Sequence, residues 1–394
     1  MIKPNYMDKL LDGVEVKWEF LDRVADYEQP TKYLVKSKNY SDDFVIPVLT
    51  AGKTFILGYT DEIDGVYKAS KNPVIIFDDF TTANKWVDFD FKAKSSAIKM
   101  ITSKNESEVL LKYIFYWLNT LPTELVKGDH KRQWISNFAK KFIPIPPLKV
   151  QEEIVRILDT FTELTTELTT ELTTELTARK KQYAYYRDKL LTFEEGEVDW
   201  KALGEVAKIF DSLHQTPQYS DHGLSMIRVT DIKGGFVNLE DTLKVSDEIY
   251  RIFTKKYLPQ KYDLVMSRVG SYGKVSIVPS DNAVCMGQNT VVIHPLINSK
   301  YLYYILLSNS VQGFIERNVG GGSQKTLSLK SIKEIPIPIV NEIEQARIVS
   351  LLDKFDGLTS SITEGLPREI ELRQKQYEYY RNMLLSFPKS EVKA

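Results

Sequence analysis

The chain has 394 residues, 43% hydrophobic and 27% charged, which is too long for one small module and too apolar for a disordered chain. With 52 Lys and Arg against 53 Asp and Glu, the formal charge is −1, so bulk composition gives no sign of a polyanion partner. A single cysteine, Cys285, excludes an internal disulfide, argues against a cysteine-built zinc site and fits a reducing compartment. The N-terminal stretch has no apolar signal core, and no run of about 18 uncharged apolar residues occurs; no membrane span and a cytoplasmic location are expected.

Self-similarity organises the chain. The stretch VKWEFLDRVA at Val16–Ala25 returns as VDWKALGEVA at Val198–Ala207, 182 residues later, and IPIP at Ile143–Pro146 returns at Ile335–Pro338, 192 residues later. QEEIVRILD at Gln151–Asp159 matches QARIVSLLD at Gln345–Asp353, and KQYAYYRDKLLTF at Lys181–Phe193 matches KQYEYYRNMLLSF at Lys375–Phe387, both shifted by 194. The interiors, 26–136 and 208–328, share almost nothing recognisable. One frame therefore carries two different inserts, with the frames expected to be related by a pseudo-two-fold inside one chain. The expected division is a first insert domain over 1–149, a central helix over 150–192, a second insert domain over 193–342 and a C-terminal helix over 343–394.

In the first insert, PVIIFDDF (Pro73–Phe80) and KWVDFDF (Lys85–Phe91) read as strands bounded by turn residues, followed by a helix around Glu106–Asn119. From Val150 to Leu191 there is neither Pro nor Gly, and Ile154, Leu158, Phe161, Leu164 and Leu168 recur at helical steps. Such a helix runs about 63 Å, too long for one domain's core. The second insert repeats the order, with strands LSMIRVTDI (Leu224–Ile232), YDLVMSRV (Tyr262–Val269) and NTVVIH (Asn289–His294), a helix around Ser299–Arg317, and a second long helix interrupted by Gly357, Gly365 and Pro367. A kink or break is expected there. The expected fold class is α/β (α+β): two mixed α/β domains joined by two long antiparallel helices that form a coiled-coil spacer.

No catalytic signature is complete. Ala51–Thr54 reads AGKT, but Pro47 stands where a phosphate-binding loop needs its first Gly. Asn72-Pro73-Val74-Ile75 lacks the second proline and the aromatic of an amino-methyltransferase loop, and Glu15-Val16-Lys17 returns as Glu197-Val198-Asp199, a frame position rather than a nuclease cluster. His130, His214, His222 and His294 lie at no metal-ligand spacing. No catalytic residue, metal site or cofactor is expected in this chain.

Local charge tells more than the total. Residues 251–275 carry +5, while residues 127–141 and 300–333 carry +4 each. The segments GDHKRQW at Gly128–Trp134 and GGSQKTL at Gly321–Leu327 both precede the IPIP element. Arg and Lys donate to guanine, and Asn and Gln pair bidentately with adenine. The DNA-binding candidates are therefore Lys131, Arg132 and Gln133 in the first copy, and Gln324 and Lys325 in the second. The loop TAGKTF adds Lys53 and Thr54, and the segment KWVDFDF adds Lys85; SRVGSYGK adds Arg268, Ser271, Tyr272 and Lys274. Gln288, Asn289 and Arg228 complete the set, whereas Trp86, Trp117 and Trp134 are expected as core or loop anchors.

Thr162–Thr177 is TELT repeated four times. Four residues turn a helix by 400°, so Leu164, Leu168, Leu172 and Leu176 form a line that drifts about 40° and rises about 6 Å per unit. One base pair of duplex adds about 3.4 Å and 35°, so one unit is commensurate in rotation with one step along DNA.

Two dissimilar inserts, the KQYxYYR-LL-F endings, IPIP before each long helix and the TELT run together resemble the specificity (S) subunit of type I restriction-modification systems, in particular the type IC group with tetrapeptide repeats. The likeness extends over almost the whole chain. It implies two target recognition domains that each read half of a bipartite double-stranded DNA site. It also implies two modification subunits that methylate adenine with S-adenosylmethionine, and restriction subunits that cleave using ATP and Mg. The interruption at Gly365 and Pro367 departs from strict symmetry. Two other classes remain open on the residues alone: a self-sufficient methyltransferase or nuclease, and a coiled-coil assembly adaptor without base-specific contacts.

Overall fold

The computed structural model describes residues 6–51, 54–122, 132–194, 196–322, 324–360 and 365–387, apart from the side chains of Asp8 and Ser360. The first half contains α1 (Tyr6–Leu11), β1 (Lys17–Phe20), α2 (Leu21–Val24), β2 (Ala25–Glu28), β3 (Ile46–Leu49), β4 (Ile56–Thr60), β5 (Val74–Asp78), β6 (Asn84–Val87), β7 (Lys92–Ala93), β8 (Ile98–Ser103), α3 (Leu111–Leu118), α4 (Gln133–Ser136), β9 (Phe142–Ile145) and α5 (Leu148–Leu190). The second half contains β10 (Asp199–Ala202), α6 (Leu203–Val206), β11 (Ala207–Asp211), β12 (Leu224–Ile227), β13 (Leu243–Val245), α7 (Asp247–Thr254), β14 (Leu264–Ser267), β15 (Val275–Ile277), β16 (Val284–Met286), β17 (Thr290–Pro295), α8 (Ser299–Leu307), α9 (Asn309–Asn318), α10 (Leu329–Lys333), β18 (Pro336–Ile339), α11 (Glu342–Ser360) and α12 (Leu366–Leu384).

Several elements are shorter than the apolar runs that announce them, for local reasons. The strand beginning at Asn84 ends at Val87, where Asp88 accepts from Trp86 Nε1 (3.2 Å) and Asp90 accepts from Ser70 and Lys68. β12 ends at Ile227 because Arg228 and Asp231 close a 3-10 turn on each other. α3 starts at Leu111 rather than Glu106, since the Glu106 carboxylate accepts from the Leu111 N–H at 3.2 Å. The second long helix is divided into α11 and α12, while residues 361–364 lie outside the described residues.

The chain forms two compact units, Met1–Thr169 with Leu372–Ala394, and Thr170–Glu371. The inserts share no recognisable sequence, yet each unit has one plan. In unit 1 a four-stranded sheet β2-β8-β5-β6 accompanies a three-stranded sheet β4-β3-β7; unit 2 repeats these as β11-β17-β14-β15 and β13-β12-β16. The large sheets are antiparallel, and the small ones each contain one antiparallel and one parallel pair.

The frame words pair with each other. VKW and VDW form antiparallel ribbons with the isoleucine-proline strands, in register Trp18↔Pro144 and Trp200↔Pro338. Proline donates no ladder hydrogen bond, and a two-stranded ribbon tolerates that loss. This register corrects the alignment by motif. Pro144 corresponds to Pro338, so the shift is 194 from the ribbon onward, not 192. Isoleucine-proline alternation has a period of two, so a slip of two residues keeps every side chain on its own face and looks the same in sequence.

Each insert is fastened to its long helix by the same side chains. Gln151, fully buried, accepts from the Leu110 N–H (3.0 Å) and donates to the Pro146 carbonyl (2.9 Å); Gln345 accepts from the Asn298 N–H (3.1 Å) and donates to Val340 (2.8 Å). Eight residues further along each helix, Asp159 takes Tyr116 (2.5 Å) and Lys112 (3.3 Å), while Asp353 takes Tyr304 and Lys300, both at 2.6 Å. Tyr113 and Tyr301 donate to the carbonyls of Pro144 and Pro338 at 2.9 and 3.0 Å. The K-Y-x-x-Y pattern of α3 and α8 thus meets the Q-x7-D pattern of α5 and α11.

The helix tails cross over between units. Leu191, from the end of α5, lies in the core of unit 2 with Leu302 and Leu352, and Tyr186 stacks on Phe355 (5.6 Å, 22°). Leu384, Leu385 and Phe387, after the second repeat, lie in the core of unit 1 with Ile154 and Leu158, and Phe161 packs on Tyr380 at 5.6 Å. Within each unit the two helices run antiparallel as a coiled-coil pair. In the TELT run Leu168, Leu172 and Leu176 are half-buried, whereas Leu164 is 56% exposed. Thr174 and Thr177 satisfy their hydroxyls on carbonyls four residues back, the local bond by which threonine is tolerated in a helix. In unit 1 an open groove of about 200 Å³ runs along the pair, lined by Phe161, Thr165, Leu168, Tyr377 and neighbours.

Replacing Asp353 with Ala strands both the Tyr304 hydroxyl and the Lys300 ammonium. We expect a loss of about 1.5–3 kcal/mol, read as a lower urea midpoint for unit 2; an unchanged midpoint would show that the carboxylate does not hold the domain to its helix.

Candidate nucleic-acid interface

Most of the second-copy candidates lie on loops that are tied together. Arg268, just after β14, donates its N–H to the Asn289 carbonyl (2.9 Å) and accepts from the Leu327 N–H (2.8 Å). Its guanidinium bonds Asp211 at 2.7 Å and the Leu327 carbonyl at 3.1 Å. The end of β11, the β14–β15 loop, the residue before β17 and the segment around 319–327 therefore meet at one residue. Gly270 adds a bond from its N–H to the Lys325 carbonyl at 3.3 Å. The turn that presents Gln324 requires Gly321: at φ +111° a Cβ there would lie 2.6 Å from the Gln324 carbonyl oxygen.

On this platform Ser271, Lys274, Gln288 and Gln324 are exposed. Tyr272 and Lys325 share one acceptor: Glu316 accepts from the Tyr272 hydroxyl at 2.7 Å and pairs with Lys325 at 3.1 Å. The Tyr272 hydroxyl and then the Lys325 ammonium hold the Glu316 carboxyl below its ordinary range. Asn289 is half-buried at φ +64° and offers its carbonyl to Arg268. Arg228 is occupied by Asp231, with bonds of 3.0 and 3.1 Å.

Two expectations change. Arg268 is not presented to a ligand: its side chain is 12% exposed and spans Asp211 and Leu327. Gln133 is 8% exposed, and its backbone N–H bonds the Asp79 carbonyl at 2.8 Å. Its side chain faces inward because α4 is pulled onto the sheet at that point. Elsewhere in the first copy, Arg132 is exposed at the start of α4, Thr54 is exposed in the β3–β4 hairpin, and Lys85 is exposed on edge strand β6. Lys53 and Lys131 lie outside the described residues. Trp117 and Trp134 are buried at 8% and 2%, and Trp86 packs against the same core, as anchors.

Sequence reasoning missed the counter-charges. Asp79 follows β5 as Arg268 follows β14, and it pairs at 3.5 Å with Lys99, both side chains fully buried. A lone lysine inside the apolar run IKMI was the available signal, since an unpaired buried ammonium is too costly to keep. Burial lowers the Lys99 pKa, which Asp79 partly offsets. Glu62 pins the segment before β3. It accepts from the Ser37 N–H (2.6 Å) and the Lys36 N–H (3.0 Å) and pairs with Lys92 (2.9 Å). Among the described residues no cluster of His, Cys, Asp and Glu gathers at metal-binding distance, and no helix is long and apolar enough to cross a membrane.

Comparison with known proteins agrees with the repeated plan. Residues 15–178 and 197–372 each match the model of the type I restriction modification DNA specificity domain. The chain belongs to that family. Over its full length it is 51% identical to a type I restriction enzyme specificity subunit of Escherichia coli, covering 99% of that protein. It is 34% identical to a putative type I restriction enzyme specificity subunit of Haemophilus influenzae over 97% of this chain and 98% of the relative. Among solved structures, a chain from a study of type I restriction-modification complex assembly superposes with a TM-score of 0.60 at 16% identity, over 94% of this chain and 98% of that one. The S subunit of M. genitalium superposes with a TM-score of 0.50, also at 16% identity, over 96% and 98%. The two inserts are thus target recognition domains, and the chain sets DNA sequence specificity in a type I restriction-modification system.

The hydrogen bonds from Ser37, with Lys92 and Lys36, depress the Glu62 pKa to about 2, below its ordinary 4.5. Stabilisation of that segment is complete above about pH 4.5 and is lost as pH falls through about 2. The urea midpoint of the native chain is expected to fall more steeply below pH 4.5 than that of Glu62→Gln, which cannot titrate; parallel curves would remove Glu62 from the acid transition.

Proposed function

We propose that each recognition domain reads one half of a bipartite double-stranded DNA site across a fixed unread spacer, and that this chain is the non-catalytic reader of its complex. Adenine methylation would be carried by two modification subunits using S-adenosylmethionine, and cleavage by restriction subunits using ATP and magnesium. The absence of any complete catalytic motif from the sequence supports this division of labour. The observation that carries the reading is the loop platform around Arg268, where Ser271, Lys274, Gln288, Gln324 and Lys325 stand at the surface as hydrogen-bond donors. Donors of this kind read base edges or grip phosphate.

Single-molecule sequencing of adenine methylation, in cells expressing this chain with its modification partner, should return two short specific sequences separated by a fixed gap. A continuous motif would overturn the reading. Lys325→Ala is expected to weaken DNA binding by the assembled complex for all sequences alike and to lower the salt slope by about 1, as loss of a phosphate contact does. A changed base preference with an unchanged slope would make Lys325 a base reader instead.

The TELT run supplies the spacing in this reading. Deleting one TTEL unit shortens α5 by about 6 Å and turns it by about 40°. The methylation map should then show the gap shortened by one base pair, and an unaltered gap would remove the repeat from control of spacing.

A further inference from the structure

Asp79 and Arg268 occupy the same place in two domains that share no recognisable sequence. Each is the residue immediately after the equivalent strand, β5 or β14. Asp79 donates its N–H to the Ala97 carbonyl (2.9 Å) and accepts from the Gln133 N–H (2.8 Å); Arg268 donates to Asn289 (2.9 Å) and accepts from Leu327 (2.8 Å). In both cases the accepting carbonyl immediately precedes the neighbouring central strand of the large sheet, β8 or β17, and the donating N–H comes from the segment leading to the frame ribbon. Gln133 and Leu327 are also separated by 194, the same shift as the frame.

Only the side chains differ, and they differ in the sign of a buried charge. The Asp79 carboxylate takes the Trp134 N–H at 2.8 Å and faces Lys99 at 3.5 Å, with both side chains at zero exposure. Among the described residues neither Lys99 Nζ nor the facing Asp79 Oδ2 has a further hydrogen-bond partner, so each depends chiefly on the other's charge. The Arg268 guanidinium holds the Leu327 carbonyl and Asp211, and Asp211 in turn reaches His214 at 3.3 Å. Both hubs fix the chain that leads directly into an exposed candidate: Arg132 precedes Gln133, and Lys325 lies two residues before Leu327.

We propose that Asp79 with Lys99, and Arg268 with Asp211, are positioning residues for sequence recognition, each setting the register of its own domain's DNA-facing loops without touching DNA. This inference rests on the reading of those loops as the DNA interface. A charge left alone at such a site must be hydrated or moved, and moving it carries the attached loop with it. Because each hub belongs to one domain, its loss should relax one half-site and spare the other. A general loss of folding would impair both.

The test uses the full chain assembled with its modification subunits, with single-molecule methylation maps as the readout. Lys99→Met leaves Asp79 unpaired, and Asp211→Ala leaves Arg268 unpaired. We expect the two variants to relax different half-sites, each losing about tenfold or more in discrimination, the scale of one mismatched base pair, while the other half-site stays strict. The double variant Asp79→Asn with Lys99→Met keeps an oxygen for the Trp134 N–H and removes both charges, so it should restore most of the lost discrimination. It also carries the test if the single variant fails to assemble. Assembled variants that leave both half-sites strict, or a double variant no better than Lys99→Met, would overturn the proposal. Lys274→Ala and Gln324→Ala separate the two levels. If they change recognition and the hub variants do not, positioning alone fails; if they too change nothing, the loop interface itself is wrong.

Discussion

A buried carboxamide must have its donors and acceptor satisfied, and in this chain Gln151 and Gln345 meet that requirement by binding the first turn of a short helix and the end of the frame ribbon at once. The geometry leaves one orientation, because rotating the insert would strand polar atoms inside the core, at about 1–3 kcal/mol each. Asp159 and Asp353 add the second anchoring point, one tyrosine and one lysine to each. Two points fix an axis. A recognition domain held in this way presents its loops in a constant attitude to its helix, as the proposed reading of two half-sites requires.

The helix tails extend the same dependence. Leu384, Leu385 and Phe387 complete the core of the unit that begins the chain, and Leu191 completes the core of the other. Unit 1 joins both ends of the chain, Met1–Thr169 with Leu372–Ala394, whereas unit 2 is one continuous stretch, and α5 and α12 each begin in one unit and end in the other. Apolar tails buried in the unit where each helix ends make the helix length part of the folding energetics. The TELT run lies at the division between units, away from both sets of buried tails.

Charge is used locally and in opposite ways. The frame's carboxylates are taken up by tyrosines and lysines of α3 and α8, and the loops carry enclosed, paired cations such as Arg268 alongside exposed ones such as Lys274 and Lys325. The overall balance of −1 therefore says little about the surface offered to DNA. It also explains why counting cations along the chain overestimates that surface: Arg228 and Arg268 each have a carboxylate within 3.0 Å.

The repeat, the long helices, their interruption after Gly357 and the mixed inserts could be read from the residues because they rest on periodicity and on chain-breaking residues, which are local properties. The tetrapeptide run and the frame words together were specific enough to point to the family. Other features needed tertiary structure. The frame ribbon's shift of 194 was hidden by a motif whose period equals the pleat, and the common topology of the inserts was hidden because strand pairing constrains which positions are buried far more than which residues fill them. The hubs at Asp79 and Arg268 were illegible for the same reason: equivalence there lies in backbone hydrogen bonds, and opposite charges satisfy it equally once each has its partner. Sequence alone determined which segments are frame and which are reader. Only the folded chain decided which cations remain for a ligand, since that depends on carboxylates brought in from as far as 57 residues away, as Asp211 is to Arg268.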